Sequence, residues 1–146
     1  ESKSLVDSKI DTKIKLAALW TSLLFLYVYA DFFDQQTPSS IESFGDLTTP
    51  IGPLTPNLLL IFSLILIVPS LMICLSIFMK PKVNKWVNIV IAIIWSFMSI
   101  VLLVDTIGSD WYRFYALYQA IEIVVLASII YTHGNGQGNL REIHRS

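Results

Sequence analysis

The stretch LLLIFSLILIVPSLMICLSIFM, residues 58–79, contains no charged side chain and only a few polar ones. Its length matches the roughly 20 residues that a helix needs to cross about 30 Å of hydrocarbon. Backbone amides find no water inside a bilayer, so a helix, which satisfies them internally, is the expected form. The stretch therefore predicts a transmembrane helix and indicates a membrane protein.

The composition of the whole chain agrees with this prediction. Of the 146 residues, 54% are hydrophobic and only 14% are charged, whereas soluble domains carry about 25% charged residues. The mean hydropathy is +0.64. A soluble chain of this length has too little interior to bury so much apolar surface.

Three further apolar stretches, at about 15–33, 86–107 and 111–132, have a similar length. None shows the alternation of a barrel strand. The predicted fold is therefore all-α, with a bundle of four transmembrane helices in residues 15–132. Residues 1–14 are predicted to be a cytoplasmic segment, and residues 133–146 a flexible cytoplasmic tail.

The charged residues predict the orientation of the bundle. All lysines and arginines except Arg113 precede the first stretch or stand at its first residue, lie between the second and third, or follow the fourth. The acidic residues within the two other connections or at their edges are Asp31, Asp34, Glu42, Asp46, Asp105 and Asp110. Because basic loops stay in the cytoplasm, we expect a multi-pass protein of the cytoplasmic membrane with both termini inside.

The connection between the first two stretches contains the sequence PSSIESFGDL, residues 38–47. Ser39 and Glu42 have the spacing of a capping box, and Ile41, Phe44 and Leu47 recur every third residue. This pattern predicts a short helix on the membrane surface or across the mouth of the bundle. An irregular loop with several prolines is the alternative.

The fourth stretch, YRFYALYQAIEIVVLASIIY from Tyr112 to Tyr131, carries Glu122 in its middle. Tyr115, Tyr118 or Gln119, and Glu122 share one helix face. Glu122 lies about 15 Å below the outer end of the span. A carboxyl group at that depth should face other helices and be protonated or partnered, and it is a functional candidate by default. The alternative is a structural role, in which a neutral acid links two helices by a hydrogen bond.

Other polar residues fall at or above the depth of Glu122, toward the outer side. Tyr27 and Tyr29 lie in the first span, while Asp31, Asp105 and Arg113 are nearer the surface. Arg113 could neutralise Asp31 or Asp105, or it could reach the lipid headgroups. The predicted ligand-binding or polar site thus comprises Glu122, Tyr118, Gln119, Tyr115, Arg113, Asp31, Asp105, Tyr27 and Tyr29.

This arrangement favours an outward-facing pocket over a conduit, because the inner halves of the spans are nearly all aliphatic. The sequence offers no catalytic motif: the spans contain no histidine, Cys74 is alone, and no glycine-rich phosphate loop occurs. We therefore predict no enzyme activity, no cofactor and no metal site. The net charge of −1 also argues against a nucleic-acid partner.

Two functions remain compatible with these residues. The first is a binding or accessory role toward a lipid, a small apolar ligand or a membrane partner. The alternative is a small transporter or channel subunit that uses Glu122 as a proton or cation relay. The expected partners are the lipid bilayer and either another membrane protein or further copies of the chain.

Several motifs resemble those of an uncharacterised bacterial family of short four-span membrane proteins. The motifs are Lys15-Leu16 with Leu19-Trp20, Tyr29–Asp31, the NKWVN segment 84–88, and Ile121-Glu122, and the resemblance extends over about residues 13–132. The family often has a glutamate two residues before the proline of the second span, where this chain has Ile67. The resemblance implies four spans in a bacterial membrane and no particular activity, whereas the departure at Ile67 argues against a two-carboxylate site.

The orientation is tested by cysteine labelling in a Cys74→Ala background. We expect an impermeant thiol reagent on intact cells to label a cysteine at Ser40 and to leave one at Ser4 unlabelled. Membrane disruption should make both sites reactive, which serves as the control. Labelling of Ser4 alone in intact cells would reverse the predicted orientation.

Overall fold

A computed structural model of the chain describes residues 10–49 and 51–135. Its helices are α1 (Thr12–Asp34), α2 (Pro38–Asp46), α3 (Pro56–Phe78), α4 (Pro81–Thr106) and α5 (Arg113–Asn135). A 3-10 turn, Asp110–Tyr112, precedes α5. The four long helices are long and apolar enough to cross a membrane, so the predicted all-α bundle of four candidate spans is confirmed.

The ends of the helices follow from local sequence signals. Thr55 caps α3, its side chain accepting a hydrogen bond of 3.2 Å from the Leu58 amide, as expected for a threonine followed by proline. Asp11 caps α1 in the same way. Helix α5 continues to Asn135, beyond the predicted end at residue 132. The predicted N-terminal segment up to residue 9, and the predicted tail from residue 136, lie outside the described residues.

The predicted short helix is present as α2, and the alternative of an irregular loop is wrong for this segment. Its cap is Thr37 rather than Ser39. Thr37 precedes a proline at the first helical position, where the missing amide costs nothing, and its hydroxyl accepts from the Ser40 amide at 3.3 Å. The hydroxyl of Ser39 instead bonds that of Tyr112 at 2.8 Å, so α2 is tied to the start of α5.

A two-residue hairpin follows α2. Strand β1 (Thr48–Thr49) pairs antiparallel with β2 (Gly52–Pro53). The chain enters β1 through Leu47, which has a φ of 51°, and Gly52 has a φ of 131° that only glycine adopts readily. The hairpin thus leads the chain from α2 to the start of α3.

Helices α1 and α5 form the middle of the bundle. Helix α1 packs against both α3 and α5, and α5 packs extensively against α4, whereas α3 and α4 contact each other little. The core is one cluster of fully buried residues: Leu16, Trp20, Leu23, Met72, Ala92, Leu126 and Ile129. Most other apolar side chains of the spans point outward, as expected where lipid is the solvent.

The bundle has two chemically different ends. One end, here called the α2 end, carries α2 and the α4–α5 connection; the opposite end carries the start of α1 and the α3–α4 connection. The lysines of the described part all lie at the opposite end, where Lys13 donates to the Ile77 carbonyl at 2.9 Å. A cation is favoured beside the last carbonyls of a helix. The charge asymmetry therefore persists in three dimensions.

A buried hydrogen-bond network joins three helices toward the opposite end. The Trp20 indole donates to the Asn88 side-chain oxygen at 2.6 Å, and the Ser76 hydroxyl donates to the same atom at 3.1 Å. The Asn88 amide donates to the Asn84 side-chain oxygen at 2.7 Å, and the Asn84 amide donates to the Ser76 carbonyl at 2.9 Å. We call these four residues the Asn88 network.

The Asn88 network corrects the prediction that this half of the bundle is nearly all aliphatic. The segment NKWVN suggests a membrane interface, and Trp86 is indeed 60% exposed. Asn84 and Asn88, however, are one helical turn apart and both face inward, where they are buried. Their partners come from distant parts of the sequence, which spacing within α4 does not reveal.

Replacing Asn88 by leucine should destabilise the bundle. The substitution keeps the side-chain volume but leaves the Trp20 and Ser76 donors buried without an acceptor, which costs about 1–3 kcal/mol. Unfolding in detergent, followed by tryptophan fluorescence, measures the loss. The matched control is Asn57→Leu at an exposed position. Equal stability of the two variants would contradict a stabilising role for the network.

Candidate functional site

Glu122 lies on the face of α5 that packs against α4 and α1, and its side chain is fully buried. The Ser99 hydroxyl on α4 donates to its Oε2 at 3.0 Å. Burial of a carboxyl group is costly unless donors replace water. The Ser99 hydrogen bond is therefore the first contact that holds Glu122 in the bundle.

Gln119 supplies a second donor, one turn earlier on the same face of α5. The amide satisfies its neighbours only with its nitrogen toward Glu122, where it donates to Oε2 at 2.9 Å and to the Ser99 hydroxyl at 3.3 Å. Gln119 is buried as well. The sequence placed Gln119 on the face of Glu122, and the structure brings the two side chains together.

Tyr27 completes what we call the Glu122 cluster, which consists of Tyr27, Ser99, Gln119 and Glu122. Its hydroxyl is buried near Ser99 and Glu122. Within residues 10–49 and 51–135, neither this hydroxyl nor Glu122 Oε1 has a hydrogen-bond partner. An unsatisfied buried polar group costs about 1–3 kcal/mol. Two such atoms in one cluster are uncommon and call for a physical explanation.

The other residues of the predicted site differ in position. Tyr115 is half-buried on the same face of α5, two helical turns from Glu122, and it is within electrostatic reach of Asp31, Glu122 and Asp34. Tyr118 is also half-buried. Tyr29 is 53% exposed, and Asp31 and Asp105 are exposed, so these three do not join the buried cluster.

Arg113 does not pair with Asp31 or Asp105, the partners proposed from the sequence. It forms a salt bridge with Asp110, and both side chains are more than four-fifths exposed. Asp110 stands three residues earlier in the turn that begins α5, which brings its carboxylate within reach of the guanidinium. A shallow surface cleft adjoins this pair, and Glu122 is not among its lining residues.

Aromatic rings cluster around the start of α5, at the α2 end of the bundle. Phe114 stacks on Tyr112 with a centroid distance of 6.4 Å and meets Tyr115 edge-on at 6.1 Å. Phe33 of α1 contacts Phe114 edge-on, also at 6.1 Å. We call these four residues the aromatic cluster. It lies between the α2 end and the Glu122 cluster, since Tyr115 stands about 10 Å above Glu122 at the helical rise.

Sequence reasoning did not assign Ser99 to the site. Serines are common in membrane helices and often bond to their own backbone, so the residue type carries little signal. The depth of Ser99 in α4, on a helix antiparallel to α5, would have matched that of Glu122. Only the helix pairing, which no motif in the chain specifies, shows that the two residues face each other.

An apolar layer separates the Glu122 cluster from the Asn88 network. Leu23, Met72, Ala92 and Leu126 are fully buried within it, and Trp95 packs against them. From Asn88 to Ser99 the rise of α4 amounts to about 16 Å. In the described part of the chain, no group of three or more histidine, cysteine or acidic residues is placed to hold a metal ion.

Four long apolar helices whose apolar side chains are mostly exposed define the fold of a small multi-pass membrane protein. Residues 5–139 match the model of DUF6326, a family of unknown function, and the chain belongs to this family. The match covers nearly the whole chain and confirms the family resemblance of the sequence. No curated protein and no solved structure matches the chain significantly.

Changing Gln119 to glutamate tests the geometry of the Glu122 cluster. The substitution keeps the shape of the side chain but places a second carboxyl group 2.9 Å from Glu122 Oε2. An uncompensated buried charge typically costs about 3–5 kcal/mol, so we expect a large fall in the free energy of unfolding in detergent.

The control is Gln36→Glu, the same change at an exposed residue that follows α1. It should leave stability within about 0.5 kcal/mol of the wild type. If Gln119→Glu were equally harmless, the Gln119 amide would not face Glu122.

Proposed function

We propose that this protein is a non-enzymatic membrane protein that binds a small ligand, a lipid or a membrane partner through the Glu122 cluster. The observation that carries the proposal is the pair of unpartnered buried atoms, Glu122 Oε1 and the Tyr27 hydroxyl. A polar group of a bound molecule can satisfy both atoms. Without such a molecule, two apolar side chains of similar size would be less costly to bury than these two polar groups.

The depth of the cluster supports access from the α2 end. Tyr115 and Tyr27 are half-buried, and Tyr115 lies on the side of Glu122 that faces the α2 end. The predicted orientation makes this the outer side of the cytoplasmic membrane of a bacterium, with both termini inside. In that arrangement the ligand reaches the site from outside the cell or from the outer leaflet.

The apolar layer favours binding over transport. Ions and protons cross a membrane along polar side chains or water, and the layer of Leu23, Met72, Ala92 and Leu126 interrupts such a path. A transporter or channel subunit that uses Glu122 as a relay is the second candidate. The Asn88 network favours this alternative to some degree, because it supplies polar side chains on the far side of the layer.

Replacing Glu122 by glutamine should weaken ligand retention while the bundle stays folded. Glutamine has nearly the same shape but removes the negative charge, and charge-assisted hydrogen bonds are about twice as strong as neutral ones. Mass spectrometry of protein purified in mild detergent should detect a molecule retained by the wild type. We expect at least about tenfold less of it with Glu122→Gln, which corresponds to about 1.4 kcal/mol.

The matched control is Glu42→Gln on the exposed surface of α2, which should retain the ligand as the wild type does. Reconstituted wild-type protein should pass neither protons nor cations across liposome membranes. A flux that disappears with Glu122→Gln would overturn the binding role and establish the relay instead.

A further inference from the structure

Negative charge gathers on the side of the Glu122 cluster that faces the α2 end. Asp31 and Asp34 lie close to Tyr115, and Asp31 is within electrostatic reach of Glu122. In the described ranges, the only basic side chain at this end is Arg113, which is bonded to Asp110 at the surface. The described lysines all stand at the opposite end. An anionic ligand would therefore be repelled, while a cation would be attracted.

The aromatic cluster adds a second preference for a cation. The faces of Tyr112, Phe114 and Tyr115 are electron-rich, and a positive charge within about 6 Å of such a ring is stabilised by about 0.5–2 kcal/mol. The rings are half-buried and lie between the α2 end and Glu122. They also offer apolar surface for the remainder of a ligand molecule.

The unpartnered atoms distinguish between kinds of cation. Glu122 Oε1 is an acceptor, and the Tyr27 hydroxyl oxygen can accept too. A primary ammonium group carries three N–H donors and no acceptor, so it can donate to either kind of oxygen. A quaternary ammonium has no N–H to donate and leaves both atoms unsatisfied.

We propose that the Glu122 cluster is a site for a primary ammonium ion attached to an apolar body, with the ammonium on Glu122 Oε1 and the Tyr27 hydroxyl. The apolar body lies against the aromatic cluster. The proposal rests on the proposed binding function and names its ligand class. It depends on the two unpartnered buried atoms, on the acidic residues Asp31 and Asp34 near Tyr115, and on the aromatic cluster.

Four compounds that share an unbranched chain of six carbons test the proposal: hexylammonium, hexyltrimethylammonium, hexan-1-ol and hexanoate. Thermal unfolding of the full chain in a nonionic detergent at neutral pH is the measurement, since a ligand of the folded state raises the Tm with its concentration. We expect hexylammonium to raise the Tm and the other three compounds to leave it unchanged.

Substitutions test whether hexylammonium binds at the Glu122 cluster. Glu122→Gln should lower the affinity for hexylammonium at least about tenfold, and Tyr27→Phe, which removes only one oxygen, about threefold or more. Tyr131→Phe, at an exposed tyrosine on α5, is the control and should change nothing. Tyr27→Phe keeps the test valid even if Glu122→Gln does not fold.

Three results would overturn the proposal: equal shifts from all four compounds, no shift from hexylammonium, or a shift from hexyltrimethylammonium as large as that from hexylammonium. A Glu122-dependent rise in Tm with hexan-1-ol that equals or exceeds the rise with hexylammonium would also contradict a cationic ligand, yet it would agree with the proposed binding function. Cation flux in liposomes that depends on Glu122 would instead contradict the binding function itself.

Discussion

Polar side chains within the four long helices have no water to bond with, so each must find a partner on its own helix or on a neighbour. This constraint organises the interior of the bundle. The Asn88 network links α1, α3 and α4, and the Ser99–Glu122 hydrogen bond links α4 to α5. Dispersion between well-packed apolar side chains adds to these links.

The two polar clusters meet this constraint to different degrees. In the Asn88 network, the side-chain oxygen of Asn88 accepts two hydrogen bonds and its amide nitrogen donates two. The Glu122 cluster retains two buried atoms without a partner in the described chain. A satisfied network is what stability alone requires. This contrast assigns a structural role to the asparagines and underlies the binding role proposed for Glu122.

Much of the fold could be predicted from the sequence because it depends on local properties. Apolar length predicts the four long helices, and Thr55 before Pro56 predicts the start of α3. The same holds for Glu122, since its depth and helix face follow from spacing along α5 alone. Pairing between helices is different, because it depends on which faces meet. The positions of Ser99, Asn84 and Asn88, and the choice of Asp110 as the partner of Arg113, therefore required the structure.

The small contact between α3 and α4 has a consequence for how the chain is made. These two helices are consecutive, yet α3 packs mainly on α1, and α4 packs mainly on α5. Helix α1 is made before α3, so α3 can pack on it as soon as it is inserted. Helix α5, the main neighbour of α4, is made last. Before α5 is inserted, Ser99 lacks its hydrogen-bond partner Glu122. We therefore expect a nascent three-helix stage in which the hydrogen bonds of Asn88 with Trp20 and Ser76 are the main link between α4 and the other helices.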